Sequence, residues 1–479
     1  MTEHSASLFW HDYETWGARP QVDRPVQFAG VRTDLELNLI DRPVTWFAQP
    51  TPDYLPHPAA VMITGITPQH ALNQGMCERE FATKIHHEFS QPATTIVGYN
   101  NVKFDDEVTR FLFYRNFYDP YAHTWQHNNA RWDLIDLVRA CYALRPEGIE
   151  WPYHDNGQVS LKLEHLSRAN QLEHGKAHDA MSDVYATIGL AKLIKQQQPK
   201  LFQYSFSIRK KRALEALIDM VNFAPLLHIA GHYGAAQHFL GYLMPLGFHP
   251  QQPNTVLAWD LRVDPQLVLG LSATEIRAQQ YQPQAELDAQ GLTRPALQQI
   301  ALNKCPFLAT PKVLDEARRA ELGIDTKLLK QRHQWLREHA EVRQQLLATA
   351  DLARALPTPS DPDLQLYSGP FFSPQDQTNM AMIRALSPTQ LAAQSFNFAD
   401  TRLPEMLFRY RARNFPATLS DSELKRWRDF CQQRLLTPPE GLLSAEAFMH
   451  ELQQLSEQYA DSSHQLALLK DLYRYVSDL

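Results

Sequence analysis

Apolar and polar positions follow two different periods along the first 200 residues. Leu8–Asp12 runs apolar and aromatic residues into an acid, and Val26–Arg32 and Val44–Phe47 repeat the extended pattern, which predicts three strands. Glu80–Phe89 has helical spacing and Thr95–Tyr99 is a short β-branched run. Helical spacing returns in Asp105–Tyr114, Leu161–Ala169 and Ala180–Lys195. Strands first, then strand and helix in alternation, predict an α/β domain with a mixed sheet.

The pattern changes over residues 192–212. Lys192, Lys195, Lys200, Arg209, Lys210, Lys211 and Arg212 occur there with no acid among them, and Phe202, Tyr204 and Phe206 interleave. The preceding helix is expected to end near Gln198-Pro199, where a second domain begins. In it, Leu226–Ala230, Val256–Leu261 and Cys305–Ala309 read as strands and Asp325–Leu356 as one or two helices. Pro357-Thr-Pro-Ser-Asp-Pro362 places three prolines in six residues, which no helix continues through. From Gln375 the pattern is mostly helical, and Leu466–Val476 closes the chain at helical spacing. The expected division is 1–198, 199–356, a linker at 357–362, and a helical domain at 363–479.

Length agrees with this division, since 479 residues exceed one ordinary core. No apolar stretch approaches the roughly 18 residues that span a bilayer. Glu3, His4, Asp12 and Glu14 interrupt any basic-then-apolar leader, so a cytoplasmic protein with no membrane contact is expected. Cys77, Cys141, Cys305 and Cys431 form no Cys-x-x-Cys pair and read as reduced, mostly buried thiols. A net charge of −7 does not advertise nucleic-acid binding, although a local basic track can hide within a global average. Residues 192–212 are one candidate track, in which cations follow phosphates and rings stack on bases, against the alternative of a lysine-rich helix end with core aromatics. Phe408-Arg-Tyr-Arg-Ala-Arg-Asn-Phe415, with Arg409, Arg411 and Arg413 alternating, is a second, read as contacting DNA or another domain.

Candidate chemistry sits in three separate clusters. Asp12 and Glu14 end the first strand two residues apart, so both carboxylates face one spot, and oxygen ligands of this kind suit Mg²⁺ or Mn²⁺. Taken alone, such a pair is more often two solvated acids. Asp105 and Asp106 open a helix, where an acid is ordinarily a cap or a macrodipole partner, and residue chemistry does not choose between them. His178 precedes a helix and Asp183 lies inside it, too far apart in sequence for a same-face zinc pair. A neutral imidazole there could act as general base. Together the clusters suggest a carboxylate cage for two divalent metals with a base beside it, the arrangement that hydrolyses phosphodiesters.

Asp12-x-Glu14, Asn101-x-x-Phe-Asp105 and His178-(x)4-Asp183 resemble the three motifs of the exonucleases with an Asp-Glu-Asp-Asp core and a histidine. The resemblance selects Asp105 over Asp106, because the family's acid follows the aromatic. It narrows to the bacterial exonuclease I family through His11–Thr15, Gly98–Asn101, Phe104–Arg110, Tyr114–Tyr121, Ala140–Gly148, Ile300–Pro306 and Tyr410–Pro416. It implies an RNase H-like mixed-sheet exonuclease domain, an SH3-like β-domain with helices and a helical C-terminal domain. The activity implied is processive 3′→5′ degradation of single-stranded DNA to 5′-mononucleotides by two-metal-ion hydrolysis, in DNA repair and recombination. Mg²⁺ is the expected ion, two per site, with Mn²⁺ a substitute.

Asp12, Glu14, Asp105 and Asp183 would hold metal, His178 would be the base, and Glu14, Thr15, Ile66 and Lys162 would contact substrate. Ile66 lies in Ile63–Thr67, similar to the family loop against the terminal nucleotide. Lys162 stands where well-known members carry arginine, keeping the charge without the bidentate fork. The family also binds the acidic C-terminal tail of single-stranded DNA-binding protein. The matching positions are Arg145, Tyr204, Arg337 and Gln453, with Ala224 where a lysine is expected. A monomer is expected. The competing readings are an exoribonuclease of the same type trimming RNA 3′ ends, a catalytically silent single-strand-binding scaffold, and a glycosidase with two carboxylates.

Overall fold

The computed structural model describes residues 6–172, 179–352, 358–439 and 441–479. The chain divides into two compact units, Met1–Ala130 with Glu173–Ile188 and Pro357–Leu479, and Arg131–Leu172 with Gly189–Leu356.

The first unit is built on β1 (Ser7–Thr15), β2 (Pro25–Thr33) and β3 (Val44–Phe47). Three helices follow, α1 (Pro58–Thr64), α2 (Pro68–Gln74) and α3 (Glu78–Phe89). Then come β4 (Thr94–Gly98), α4 (Asp105–Arg115) and the start of β5 (Ala130–Asp133). The sheet order is β3-β2-β1-β4-β5. β1 pairs antiparallel with β2 and parallel with β4, so the sheet is mixed, as the alternation predicted. Its core gathers Phe9, Tyr13 and Phe28 from the strands with Phe81, Ile85, Phe89, Val108 and Leu112 from α3 and α4.

The C-terminal residues of this unit are helical, including Pro374–Ala385, Leu403–Asn414, Asp421–Leu436, Ala445–Gln458 and Ser463–Ser477. They complete the core of the N-terminal part. Phe448, Leu452, Leu469 and Leu472 cluster with Trp16, Tyr54, Val61 and Ile66. Met380, Ile383, Met406 and Tyr410 cluster with Tyr114 and Phe117. The same unit holds a buried ion-pair network. Asp53 accepts from Arg24 at 2.8 Å and from Arg413 at 2.8 Å, Arg413 also pairs with Asp363, and Arg409 joins Asp363, Asp361 and Glu405. Arg434 closes it on Asp361. Arg409 and Arg413, expected to contact DNA or another domain, are therefore spent inside the fold, Arg413 on Asp53 of the N-terminal segment, while Arg411 pairs with Glu423 at 2.7 Å. Asp361 and Pro362, expected in a linker, are equally anchored: Asp361 caps the short turn Pro362–Leu364 and is buried.

The second unit contains α5 (Leu134–Leu144), α6 (Leu163–Ala169), the end of α7 (Ala180–Gln197) and α8 (Pro199–Ser207). α7 stops where expected, but Pro199 then occupies the first turn of α8, where its missing N–H costs nothing. A second sheet has the order β10-β6-β7-β8-β9, all antiparallel, from β6 (Leu226–Ile229), β7 (Leu240–Phe248), β8 (Thr255–Asp260), β9 (Leu297–Ala301) and β10 (Phe307–Ala309). Over Asp325–Leu356, where one or two helices were expected, the chain forms Thr326–Glu338 and Ala340–Ala348. All four cysteines are free thiols. Among the described residues no helix is long and apolar enough to cross a membrane.

Candidate active site

β1 delivers two acids to one side. Asp12 and Glu14 are partly buried, while Tyr13 between them is buried in the core on the other side. β4 pairs with β1 only from Ser7 to Trp10, so β1 runs on past the end of its parallel neighbour. The chain turns sharply there: a Cβ on Gly98 would come within 2.7 Å of Cβ of Asn101, so the close approach needs glycine. Beyond the turn α4 begins, and Asp105 accepts a hydrogen bond from the Tyr13 backbone N–H at 3.3 Å. Asp106 accepts instead from Asn101 Nδ2 at 3.2 Å. The geometry therefore separates two aspartates that chemistry left equivalent. Asp105 is tied to β1 between the two strand acids, and Asp106 to the turn.

Asp183 lies in the first turn of α7. One carboxylate oxygen from each of Asp12, Glu14 and Asp183 falls within 4.8 Å of the others. Asp105 is outside that triplet but close enough to act on it. Burial, then the charges of Asp105, Glu14 and Asp183, push the Asp12 carboxyl well above its ordinary range. Burial, then Asp183 and Asp105, push Glu14 up to about 8. These displacements record burial first and mutual repulsion second. The donor set is oxygen only, and a hard divalent cation between the acids would relieve the repulsion, so the residues fit such an ion.

His178 lies outside the described residues. Asp179 next to it accepts from the Ser182 N–H and hydroxyl, at 3.3 and 3.1 Å, and from Gln27 Nε2 at 3.3 Å. Gln27 is the cross-strand partner of Glu14, so Asp179 links the strand pair to the first turn carrying Asp183. Sequence reasoning passed over Asp179, although an aspartate three residues before Ser182 at a helix start is a capping signal.

The expected contact residues lie on several different elements. Thr15 is buried and its hydroxyl donates to the Gly17 carbonyl at 2.6 Å. Ile66 follows α1 and packs in the core with Trp16 and Phe448. Lys162, in the second unit, is exposed at the N-terminus of α6. Arg145 donates to the Val313 carbonyl at 2.8 Å and Tyr204 to the Leu308 carbonyl at 2.7 Å, both within the second unit. Arg337 of that unit and Gln453 of the first are exposed. Of the rings in residues 192–212, Phe202 and Phe206 pack edge-on against Trp132, with Arg209 over Phe206. That favours the core-aromatic alternative over a stacking track.

The chain matches three protein-family descriptions in succession: Exonuclease over residues 9–191, Exonuclease I SH3-like domain over 209–349, and Exonuclease I C-terminal domain over 360–479. It is 46% identical to exodeoxyribonuclease I of Escherichia coli over 479 residues, covering 100% of this chain and 99% of the relative. It is 45% identical to that of Haemophilus influenzae, covering 98% of each. Escherichia coli exonuclease I in complex with a dA16 oligonucleotide superposes with a TM-score of 0.92 at 44% identity, over 99% of this chain and 100% of that one. A zinc-ion-bound form of its complex with single-stranded DNA also scores 0.92, and an SSB/exonuclease I structure with the inhibitor CFAM scores 0.90, each at 44% identity and covering 99% of this chain, and 99% and 100% of the other. The fold is thus an RNase H-like exonuclease domain followed by SH3-like and C-terminal domains, and the chain belongs to the exonuclease I family of exodeoxyribonucleases.

Proposed function

We infer that the protein is a metal-dependent 3′→5′ exodeoxyribonuclease that degrades single-stranded DNA processively to 5′-mononucleotides. The observation that carries this reading is the convergence of Asp12, Glu14 and Asp183 in a half-buried cradle, inside a chain related to exodeoxyribonuclease I along its whole length. Asp12, Glu14, Asp105 and Asp183 are the proposed ligands of two divalent ions, Mg²⁺ with Mn²⁺ able to substitute. When bound, the ions supply an acidified water and charge neutralisation at the leaving 3′ oxygen. The chain's own residues do the rest. His178 takes the proton of the attacking water, and Glu14, Thr15, Ile66 and Lys162 hold the terminal nucleotide. Lys162 supplies a point charge to phosphate where an arginine would supply a fork.

The partners proposed are single-stranded DNA and, through Arg145, Tyr204, Arg337 and Gln453, the acidic tail of single-stranded DNA-binding protein. The relative's solved complexes with oligonucleotides and with SSB support both. A cytoplasmic monomer acting in repair and recombination is the setting proposed. DNA and RNA oligomers of identical sequence, compared with Mg²⁺ and with EDTA, test the reading. DNA is expected to be degraded faster and EDTA to stop both reactions. Faster loss of RNA would make the chain an exoribonuclease, EDTA-resistant hydrolysis would point to carboxylate chemistry without metal, and an inert protein would be a scaffold.

A further inference from the structure

Asp105 occupies a helix start that lacks the usual means of fixing itself. The residue before it, Phe104, stands at φ −123° and ψ −73° and offers no capping side chain. Every residue of α4 is buried, so solvent does not define its entry either. Asn101 holds Asp106 in this turn, and Tyr13 of β1 grips the Asp105 side in two places. Its backbone N–H, beyond the last residue paired with β4, donates to Asp105 at 3.3 Å. Its hydroxyl lies 3.0 Å from Thr109 Oγ1, four residues along α4 and so on the same face as Asp105. Tyr13 and Thr109 are both buried, and the Tyr13 ring is wedged edge-on against Phe28 and His11 at 4.9 and 5.8 Å.

Tyr13 therefore stands between Asp12 and Glu14 in sequence, holds Asp105 by its backbone, and holds the helix carrying Asp105 by its side chain. We propose that Tyr13 and Thr109 form a clamp that sets the distance between the strand acids and Asp105, making both of them positioning residues for the metal cradle. The proposal rests on the carboxylate-site reading above. It assigns a purpose to a buried hydroxyl pair that core packing alone does not require, since phenylalanine and valine would fill the same volumes.

Three variants test it: Tyr13→Phe and Thr109→Val, which remove one hydroxyl each, and Thr109→Ser, which keeps it. Turnover on single-stranded DNA and Mn²⁺ affinity without DNA, read from the paramagnetic resonance of free Mn²⁺, are measured for each. Tyr13→Phe and Thr109→Val are expected to lower kcat by about 5- to 50-fold, the scale of sub-ångström misplacement, with KM for the strand unchanged. They are also expected to weaken Mn²⁺ binding several-fold, to lose no more when combined than the worse single variant, and to regain turnover in excess metal. Thr109→Ser is expected to stay close to wild type. Wild-type kcat and Mn²⁺ affinity in both hydroxyl deletions would overturn the clamp, as would a Thr109→Ser variant as impaired as Thr109→Val. A loss of folding stability with kcat and Mn²⁺ affinity untouched would reduce the pair to packing. Asp183→Asn is run alongside. If it cleaves normally, the carboxylate-site reading fails, and the clamp fails with it.

Discussion

Asp183 contributes one of the three converging oxygens and is the only one of the three not on β1. Replacing it by alanine removes a ligand without disturbing the strand pair. Asp183→Ala is expected to lose metal-dependent cleavage, read as product release, while binding a labelled single strand as wild type does. His178→Ala is expected to lower turnover by ~10²–10⁴-fold, the span of general-base loss, and near-normal turnover would reject that role. At this scale much of the site was legible. The two-residue period of a strand puts Asp12 and Glu14 together whatever the rest of the fold does. The choice between Asp105 and Asp106 was not legible from chemistry, because it depends on the pairing with β4 ending at Trp10, two residues before Asp12, and on the tight Gly98–Asn101 turn, both tertiary facts. Asp179 was missed because its effect on Glu14 passes through space.

The buried network is the element-scale feature with the largest energetic consequence. Four acids, Asp53, Asp361, Asp363 and Glu405, face four arginines, Arg24, Arg409, Arg413 and Arg434. Such a network costs desolvation, so its net contribution to stability is small, but removing one partner strands a buried charge. Asp53→Asn is expected to destabilise the protein by about 3–5 kcal/mol, measured by urea unfolding near pH 7. Burial alone would raise the Asp53 and Asp363 carboxyls, but the neighbouring guanidiniums outweigh it and hold both below the usual carboxylate range. Because the folded values lie below the unfolded ~3.9, their contribution is complete above about pH 4–5 and is lost as pH falls below that. Acid unfolding should therefore steepen below about pH 4, and Asp53→Asn should flatten that limb while lowering the plateau.

Elements were legible where period and length agreed, as in β2, α3 and the last helix. β7 was not, although it is central and buried along most of its length. Its sequence carries Gly241, Pro245 and Gly247, which argue against a central strand. The structure accommodates the proline at an irregularity, where the register with β8 shifts between Pro245 and Gly247.

At the scale of the molecule, residues 1–130 and 357–479 fold as parts of one unit with common cores. A fragment ending at residue 198 would expose Trp16, Tyr54, Val61 and Phe117, and is expected to be poorly soluble and to bind a hydrophobic dye, whereas the full chain is not. No local pattern announces this, because the covering helices lie hundreds of residues downstream. Processive attack on single strands from the 3′ end is read from a 5′-labelled single strand with Mg²⁺, sampled over time beside a matching duplex. Label is expected to stay on strands shortened from the 3′ end, with untouched and nearly finished strands coexisting at early times and the duplex spared. Release of label as the first product, or internal cuts, would contradict it.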